Sequence, residues 1–267
     1  MRDRKEFERL QLFDLLEKVS SILETEIKGY LIGELAMILY GAKFVTKDVD
    51  IVFDSHKNAP VFVKAMKNIG FREAINLTTE YLNLEAHQVL ESDDGSRFDI
   101  FVNTVCNCLE LTEGMKNRAH EVFVSGNLQL FAIAPEDIFL FKSVTNRPDD
   151  LADMAIIAGY GLDWKIIEQE LRNQQDYWKW LPHYFRSLVE LEEEYDIIAP
   201  SKKKLEKEAE IAMGIGVILN RLEEHPHSLD EVVKILDADD LTFSLEVLNK
   251  MKDFGLIKEE KGLYYMI

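Results

Sequence analysis

The chain has 267 residues, of which 47% are hydrophobic and 30% charged, and its formal net charge is −18 at pH 7. The length predicts more than one domain. The acidity argues against a broad surface that follows nucleic-acid phosphates, because that affinity comes from Lys and Arg; its simplest meaning is solubility. No apolar run approaches the ~20 residues of a membrane span. The charged start "MRDRKEFERL" lacks the apolar centre of a signal peptide, so a cytoplasmic location is expected.

The first half of the chain predicts helices and strands in alternation. Three- and four-residue apolar spacing indicates helices, and period-two alternation indicates strands. The predicted elements are a helix over 4–24, a strand over 30–33 that ends at Gly33, a helix over 34–41 that stops at Gly41, a strand over 48–53, a helix over 59–70, a strand over 81–90, its hairpin partner over 98–102, and a second hairpin around 125–127.

The second half is predicted to be mostly helical from Pro135. A helix over 202–222 follows a predicted boundary at "EYDIIAPSKKK", and two helices with a hairpin over 227–267 resemble a winged helix-turn-helix. The predicted fold class is therefore α+β, with a mixed-sheet core and flanking helices. The predicted domains are an α/β core over 1–133, a helical region over 134–198 that completes the site, and a winged-helix-like domain over 199–267.

Two aspartates lie two residues apart in the apolar strand "DVDIVF". Residues i and i+2 of a strand point to the same side, so Asp48 and Asp50 project together. Two close carboxylates repel each other, and a divalent cation removes that cost; Mg²⁺ prefers oxygen ligands of this kind. Asp99 in "RFDIFV" is the candidate third carboxylate, which would complete a site for two ions. The alternative for each acid is a solvated side chain on an exposed strand edge.

The residues upstream of the two aspartates favour a metal site over solvated acids on a strand edge. Gly33 lies at a strand-to-helix turn, where the missing side chain lets a phosphate approach free backbone N–H groups. A glycine turn, a helix and a strand with paired acids would place a phosphate-binding turn next to a metal site.

These residues resemble the nucleotidyltransferase fold of the DNA polymerase β superfamily. Gly33, the stretch "KFVTKDVDIVF" and Asp99 are most similar to the branch that includes the AbiEii and MenT toxin-like nucleotidyltransferases. A second stretch, "APEDIFLFKSVTNRPDDLADMAII" at 134–157, is similar to a pattern that those proteins carry after the sheet. The resemblance covers residues 28–158 and rests on the two motifs together.

The resemblance implies a role for each matching residue. Asp48 and Asp50 would be the main ligands of one or two Mg²⁺ ions, with Mn²⁺ as a substitute, and Asp99 the third ligand and general base. Lys142 would face the nucleotide phosphates, and Asp153 would orient that lysine or touch the substrate. The alternatives are a helix-surface position for Lys142 and, for Asp153, a place in the acidic first turns of a helix from Pro148.

This chain departs from the family pattern at two positions that would bind the phosphates of the nucleotide. Glu34 follows Gly33 where the family usually has glycine or serine, and its charge competes with a triphosphate for the same N–H groups. Phe44 stands where an arginine is often found, which leaves Lys43 as the only predicted cation nearby. Thr46 would bond either the loop backbone or a phosphate.

The predicted function is Mg²⁺-dependent transfer of a nucleoside monophosphate from an NTP to a hydroxyl of RNA, a protein or a small molecule. The competing hypothesis, motivated by Glu34 and Phe44, is a catalytically degenerate nucleotidyltransferase-fold regulator or binding module that acts through its winged helix. Residues 227–267 contain five lysines, no arginine and nine acids. This composition argues against sequence-specific DNA binding and favours a homodimer or a protein partner at the C-terminal domain.

Overall fold

A computed structural model describes residues 9–44, 46, 48–75, 86–105, 109–145, 147–237 and 241–267. The chain divides into two compact units, Met1–Gln175 and Asp176–Ile267. Residues 134–175 therefore belong with the sheet and 176–198 with the C-terminal unit. The three predicted domains stay a prediction.

The first unit is built on one mixed sheet. Its strands are β1 Ile27–Ile32, β2 Asp48–Phe53, β3 Arg72–Glu73, β4 Gln88–Glu91, β5 Arg97–Val102, β6 Thr104–Val105, β7 Leu109–Glu110, β8 His120–Ser125 and β9 Leu128–Ala132. The order is β3-β4-β5-β2-β1-β9-β8, and β6 pairs with β5 and β7. Strand β1 is antiparallel to β2 and parallel to β9, and β2 is parallel to β5. The mixed sheet and the hairpins β4–β5 and β8–β9 confirm the prediction, although residues 81–85 of the predicted strand 81–90 lie outside the described residues.

Seven α-helices are described in this unit. They are α1 Arg9–Ile22, α2 Gly33–Leu39, α3 Asn58–Asn68, α4 Glu113–Arg118, α5 Pro135–Ser143, α6 Pro148–Ala158 and α7 Trp164–Asn173. Helix α2 ends at Leu39, and Gly41, the predicted stop, follows two residues later with a φ of +77°. Gly41 N–H donates to the carbonyl of Ile38 and Ala42 N–H to that of Met37, which together satisfy the last carbonyls of the helix.

The two faces of β2 have different surroundings. Val49, Ile51 and Phe53 are fully buried in the hydrophobic core, together with residues of α1 and α3. Phe62 of α3 packs on Phe53 with a ring-centroid distance of 5.3 Å. Because strand side chains alternate, the aspartates of β2 point to the opposite face, which α2 covers in part.

The second unit contains a helical part followed by a small sheet. Its elements are a 3₁₀ turn Tyr177–Lys179, α8 Leu181–Tyr195, α9 Lys202–Leu222, β10 His227–Ser228, α10 Leu229–Ile235, α11 Leu241–Asp253, β11 Ile257–Glu260 and β12 Leu263–Met266. Helix α9 and the hairpin β11–β12 match the predicted helix 202–222 and terminal hairpin. Strand β12 lies between β10 and β11. Among the described residues, no helix is long and apolar enough to cross a membrane. The α+β class is confirmed.

Candidate active site

The predicted carboxylates lie on one face of the sheet. In the parallel pair β2–β5, Asp50 is in register with Asp99, and Asp48 is in register with Arg97. Directly paired residues on neighbouring strands point to the same side, as do residues two apart on one strand. Asp48, Asp50 and Asp99 therefore share a face; Asp99 is buried and the other two residues are half-buried.

The shared face makes Asp50 difficult to ionise. Burial of its carboxyl raises the pKa of Asp50 well above the ordinary value, and the negative charges of Asp99 and Asp48 raise it further. The positive charges of Arg147 and Lys142 oppose this shift without cancelling it. The Asp50 carboxyl therefore lies in a region where negative charge outweighs positive charge.

Gly33 has no room for a side chain beside this carboxyl. Its φ is +62°, a left-handed conformation that glycine adopts without strain. A Cβ atom added at Gly33 would lie 2.3 Å from Oδ2 of Asp50. The turn between β1 and α2 is therefore shaped around Asp50.

Arg97 is a member of this site that the sequence reasoning missed. Its Nε donates to Oδ1 of Asp99 at 2.9 Å and lies 3.9 Å from Oδ1 of Asp48. Arg97 is only 2% exposed, and Nη1 lies 3.8 Å from Glu91. The alternation of β5 carried a usable signal, since a residue two before Asp99 must share its face.

The loop after α2 is tied to the site through Glu34. Lys43 Nζ donates to Glu34 at 2.7 Å and contacts Asp153 at 2.7 Å. The hydroxyl of Thr46 is 3.1 Å from Glu34 and donates to the backbone carbonyl of Asp48 at 2.6 Å. Burial alone would lower the pKa of Lys43, but its bonds to Asp153 and Glu34 outweigh that effect and raise it.

Lys142 is a buried lysine held by two carboxylates. Nζ of Lys142 lies 2.7 Å from Asp150 and 2.6 Å from Asp153, and the residue is 6% exposed. The helix-surface alternative for Lys142 is therefore wrong. Arg147 contacts the other oxygen of Asp150 at 2.6 Å. Burial alone would raise the pKa of Asp150, but the positive charges of Lys142 and Arg147 hold it below the ordinary value.

Lys43 is the cation that the stretch around Phe44 supplies, but it is not the only cation near the site. Lys142 and Arg147 both act on Asp50, and Arg97 contacts Asp99. The reason is tertiary: α5, the residue that precedes α6, and β5 bring these cations from outside the loop that the motif covers. Phe44, which stands where the family often has an arginine, is 91% exposed.

The assembled side chains carry more negative than positive charge. Six acids and four bases make it up: Glu34, Asp48, Asp50, Asp99, Asp150 and Asp153 with Lys43, Arg97, Lys142 and Arg147. The larger number of acids and their carboxylate oxygens fit a divalent cation such as Mg²⁺ in charge and donor type. Within the described ranges, no three His, Cys, Asp or Glu side chains are gathered closely enough to hold an ion as they stand.

One of two comparisons with known proteins agrees with the chemistry of this site. A family model described as "Nucleotidyltransferase of unknown function (DUF6036)" matches residues 10–196, a span that includes every side chain of the charged group. A pentatricopeptide repeat-containing protein of Arabidopsis thaliana is 25% identical over 118 residues, which cover 40% of this chain. This chain spans only 18% of that relative's length. The second similarity is too low and too partial to transfer an activity.

Proposed function

We propose that this chain, which belongs to the DUF6036 family of nucleotidyltransferases of unknown function, moves a nucleoside monophosphate from an NTP to a hydroxyl acceptor. One observation carries the proposal: the parallel register of β2 and β5 puts Asp48, Asp50 and Asp99 on one face, beside the tight Gly33 turn. The acceptor class, namely RNA, a protein or a small molecule, is part of the proposal.

Asp48 and Asp50 would hold Mg²⁺, with Asp99 as a further ligand. When bound, Mg²⁺ neutralises phosphate charge and polarises the phosphoryl group under attack. The raised pKa of Asp50 supports this assignment, because burial and its two acidic neighbours make its charge costly without added positive charge.

The chain's own residues would handle the proton and the phosphates. The acceptor hydroxyl gives its proton to Asp99 as its oxygen forms a bond to the α-phosphorus, and the bond between the α-phosphorus and the bridging oxygen breaks to release pyrophosphate. Arg97 holds the Asp99 carboxylate in place at 2.9 Å. Such positioning lowers the entropic cost of reaction.

The cations of the site would bind the triphosphate. Arg147 and Lys43 can exchange a carboxylate for a phosphate, since their side chains are 50% and 22% exposed. Lys142 would contribute its charge from a buried position, where Asp153 and Asp150 orient it. Fixed charges in such a place act strongly on a developing negative charge.

The C-terminal elements suit a binding role. Helices α10 and α11 followed by the hairpin β11–β12 have the element order of a winged helix, and the acidic composition of 227–267 favours a protein partner or a second copy over DNA. Membership of the AbiEii and MenT toxin-like branch, and hence a toxin–antitoxin setting, is proposed on the sequence resemblance alone.

A second candidate function is a binding module without catalysis. The observation in its favour is that Lys43, Lys142, Arg147 and Arg97 each contact a carboxylate, so an NTP must displace one acid for each cation it engages. It predicts no labelled product from any NTP, together with a stable partner on pull-down.

The test combines binding and transfer. We expect the full chain to bind an NTP more tightly with Mg²⁺ than with EDTA, and Asp50→Ala to lose that difference. An α-³²P-labelled NTP mixed with cellular RNA, protein and small-molecule fractions should yield a labelled product. Equal affinity of the parent and of Asp50→Ala under both conditions would contradict the proposed metal site, and binding without any product would favour the second candidate.

A further inference from the structure

We infer that Arg97 is a built-in counter-ion of the candidate metal site: it offsets the charge of Asp48 and Asp99 in the metal-free chain and weakens the binding of a divalent cation. The inference rests on the proposed function only in assigning a cation to these carboxylates. It adds a residue that sets the affinity of the site.

The contacts of Arg97 are those of a counter-ion. Its Nε is 2.9 Å from Asp99 and 3.9 Å from Asp48, so one guanidinium faces two of the three proposed ligands. The third, Asp50, is in register with Asp99 and two residues from Asp48, which puts it diagonally opposite Arg97 on the shared face. A cation entering among these acids meets a positive charge already in place.

Arg97 is also held where it is. The residue is 2% exposed, lies in the strand β5 rather than in a loop, and has Glu91 of the neighbouring strand 3.8 Å from Nη1. A buried guanidinium is costly to move away from its acidic partners. The incoming cation must therefore share Asp48 and Asp99 with Arg97.

The hydrogen bond between Arg97 and Asp99 bears directly on the charge that a metal ion would meet. Asp99 is drawn toward Arg97, which takes up the negative charge that a metal ion would otherwise neutralise. An opposite charge at this distance changes the proton affinity of a carboxyl by about 10- to 1,000-fold. A doubly charged ion should respond at least as strongly.

The experiment measures Mn²⁺ binding to the full chain without nucleotide, by electron paramagnetic resonance of the free ion. We expect Arg97→Met, which keeps the length and removes the charge, to bind Mn²⁺ at least about tenfold more tightly than the parent. Arg97→Lys keeps the charge and should stay within about threefold of the parent. Arg72→Met is the matched control, because Arg72 is exposed on β3 and pairs with Asp93.

Stability provides a second readout. Arg97→Met should have a lower Tm than the parent in EDTA, and Mn²⁺ should raise its Tm more than it raises that of the parent, because the ion replaces the lost charge. If Arg97→Met does not fold in EDTA, refolding in Mn²⁺ supports the inference. Failure to fold in both conditions overturns it and leaves Arg97 a structural residue.

The outcomes separate this inference from the proposed function. Mn²⁺ binding that is equal or weaker in folded Arg97→Met, or a tenfold change in Arg97→Lys, refutes the counter-ion role while the metal site stands. Absence of Mn²⁺ binding in the parent and in every variant contradicts both the counter-ion role and the metal site of the proposed function. Binding in Arg97→Met alone supports the counter-ion role.

Discussion

Replacement of Gly33 by alanine tests how closely the turn is shaped around Asp50. The substitution has two costs that can be separated. The φ of +62° is strained for any residue with a Cβ, and the new atom would lie 2.3 Å from Oδ2 of Asp50, closer than real Cβ contacts come. The carboxylate must therefore move away from its place beside Asp99.

The magnitude follows from these two costs. A left-handed backbone costs a non-glycine residue about 1–2 kcal/mol. Rotating Asp50 away from its preferred conformation adds about 0.5–1.5 kcal/mol. Gly41→Ala is the matched control, since Gly41 has a φ of +77° and nothing within 4 Å of an added Cβ. We therefore expect Gly33→Ala to destabilise the chain by about 1 kcal/mol more than Gly41→Ala does.

The assay is urea unfolding of the parent and both variants, repeated in an Asp50→Ala background. Without the Asp50 carboxylate, Gly33→Ala should cost no more than Gly41→Ala, because only the backbone strain remains. Gly33→Ala should also weaken Mn²⁺ binding, whereas Gly41→Ala should not. Equal costs of the two substitutions with Asp50 present, or an unchanged cost of Gly33→Ala without it, would refute the reasoning.

Three further predictions concern single side chains. Burial and the negative charges of its neighbours raise the pKa of Asp50. Asp50→Asn should therefore stabilise the chain in EDTA by about 1 kcal/mol, measured by urea unfolding. It should also abolish Mn²⁺ binding, measured by electron paramagnetic resonance. Burial raises the pKa of Asp137 to about 6, so the folded chain holds this proton more tightly than the unfolded chain. This contribution is present at low pH and lost as pH rises from about 4 to about 6, by at most about 3 kcal/mol, and Asp137→Asn should remove it from the pH dependence of unfolding. Ser228→Ala removes the capping box of α10 and should cost the second unit about 1 kcal/mol. Ser201→Ala, at the start of α9, should cost nothing, because that buried hydroxyl has no hydrogen-bond partner among the described residues.

Each of the three has an outcome that contradicts it. A loss of stability in Asp50→Asn would show that the carboxylate is well solvated or paired. An unchanged pH profile in Asp137→Asn would place the titration elsewhere. Equal losses for the serines at 228 and 201 would mean that the capping hydrogen bonds contribute nothing.

Local patterns predicted the elements of the first unit well. Strand β2 was predicted with its observed bounds, because its alternation places apolar residues on one face and acids on the other. The end of α2 was predicted from Gly41, because left-handed glycine terminates helices. Such features depend on neighbours in the chain, which a sequence shows directly.

Contacts between distant elements could not be predicted in the same way. The sequence contains Asp99 as a lone acid in a strand, but only the parallel pairing of β2 with β5 puts it in register with Asp50. Lys142 was compatible with a surface or a site position, since helix α5 is buried on nearly all sides from Asp137 to Ser143 and its period does not show which face is covered. The resemblance implied that Asp153 of α6 would orient Lys142, but Asp150, which contacts the same lysine, was recognisable only as a residue of a helix start.

The same limit applies to Glu34. As a local residue it is a negative charge at a turn that should receive phosphates. In the folded chain, however, it accepts from Lys43, a donor that a phosphate would use, and lies 3.1 Å from the Thr46 hydroxyl, and its side chain is 40% exposed. An exposed ion pair contributes about 0–1 kcal/mol, so a phosphate can displace Glu34 toward solvent while Lys43 keeps Asp153. Lys142, buried between two acids, is far more costly to release. An entering triphosphate should therefore engage Lys43 first, which makes Glu34 a replaceable occupant of the phosphate position rather than a barrier to it.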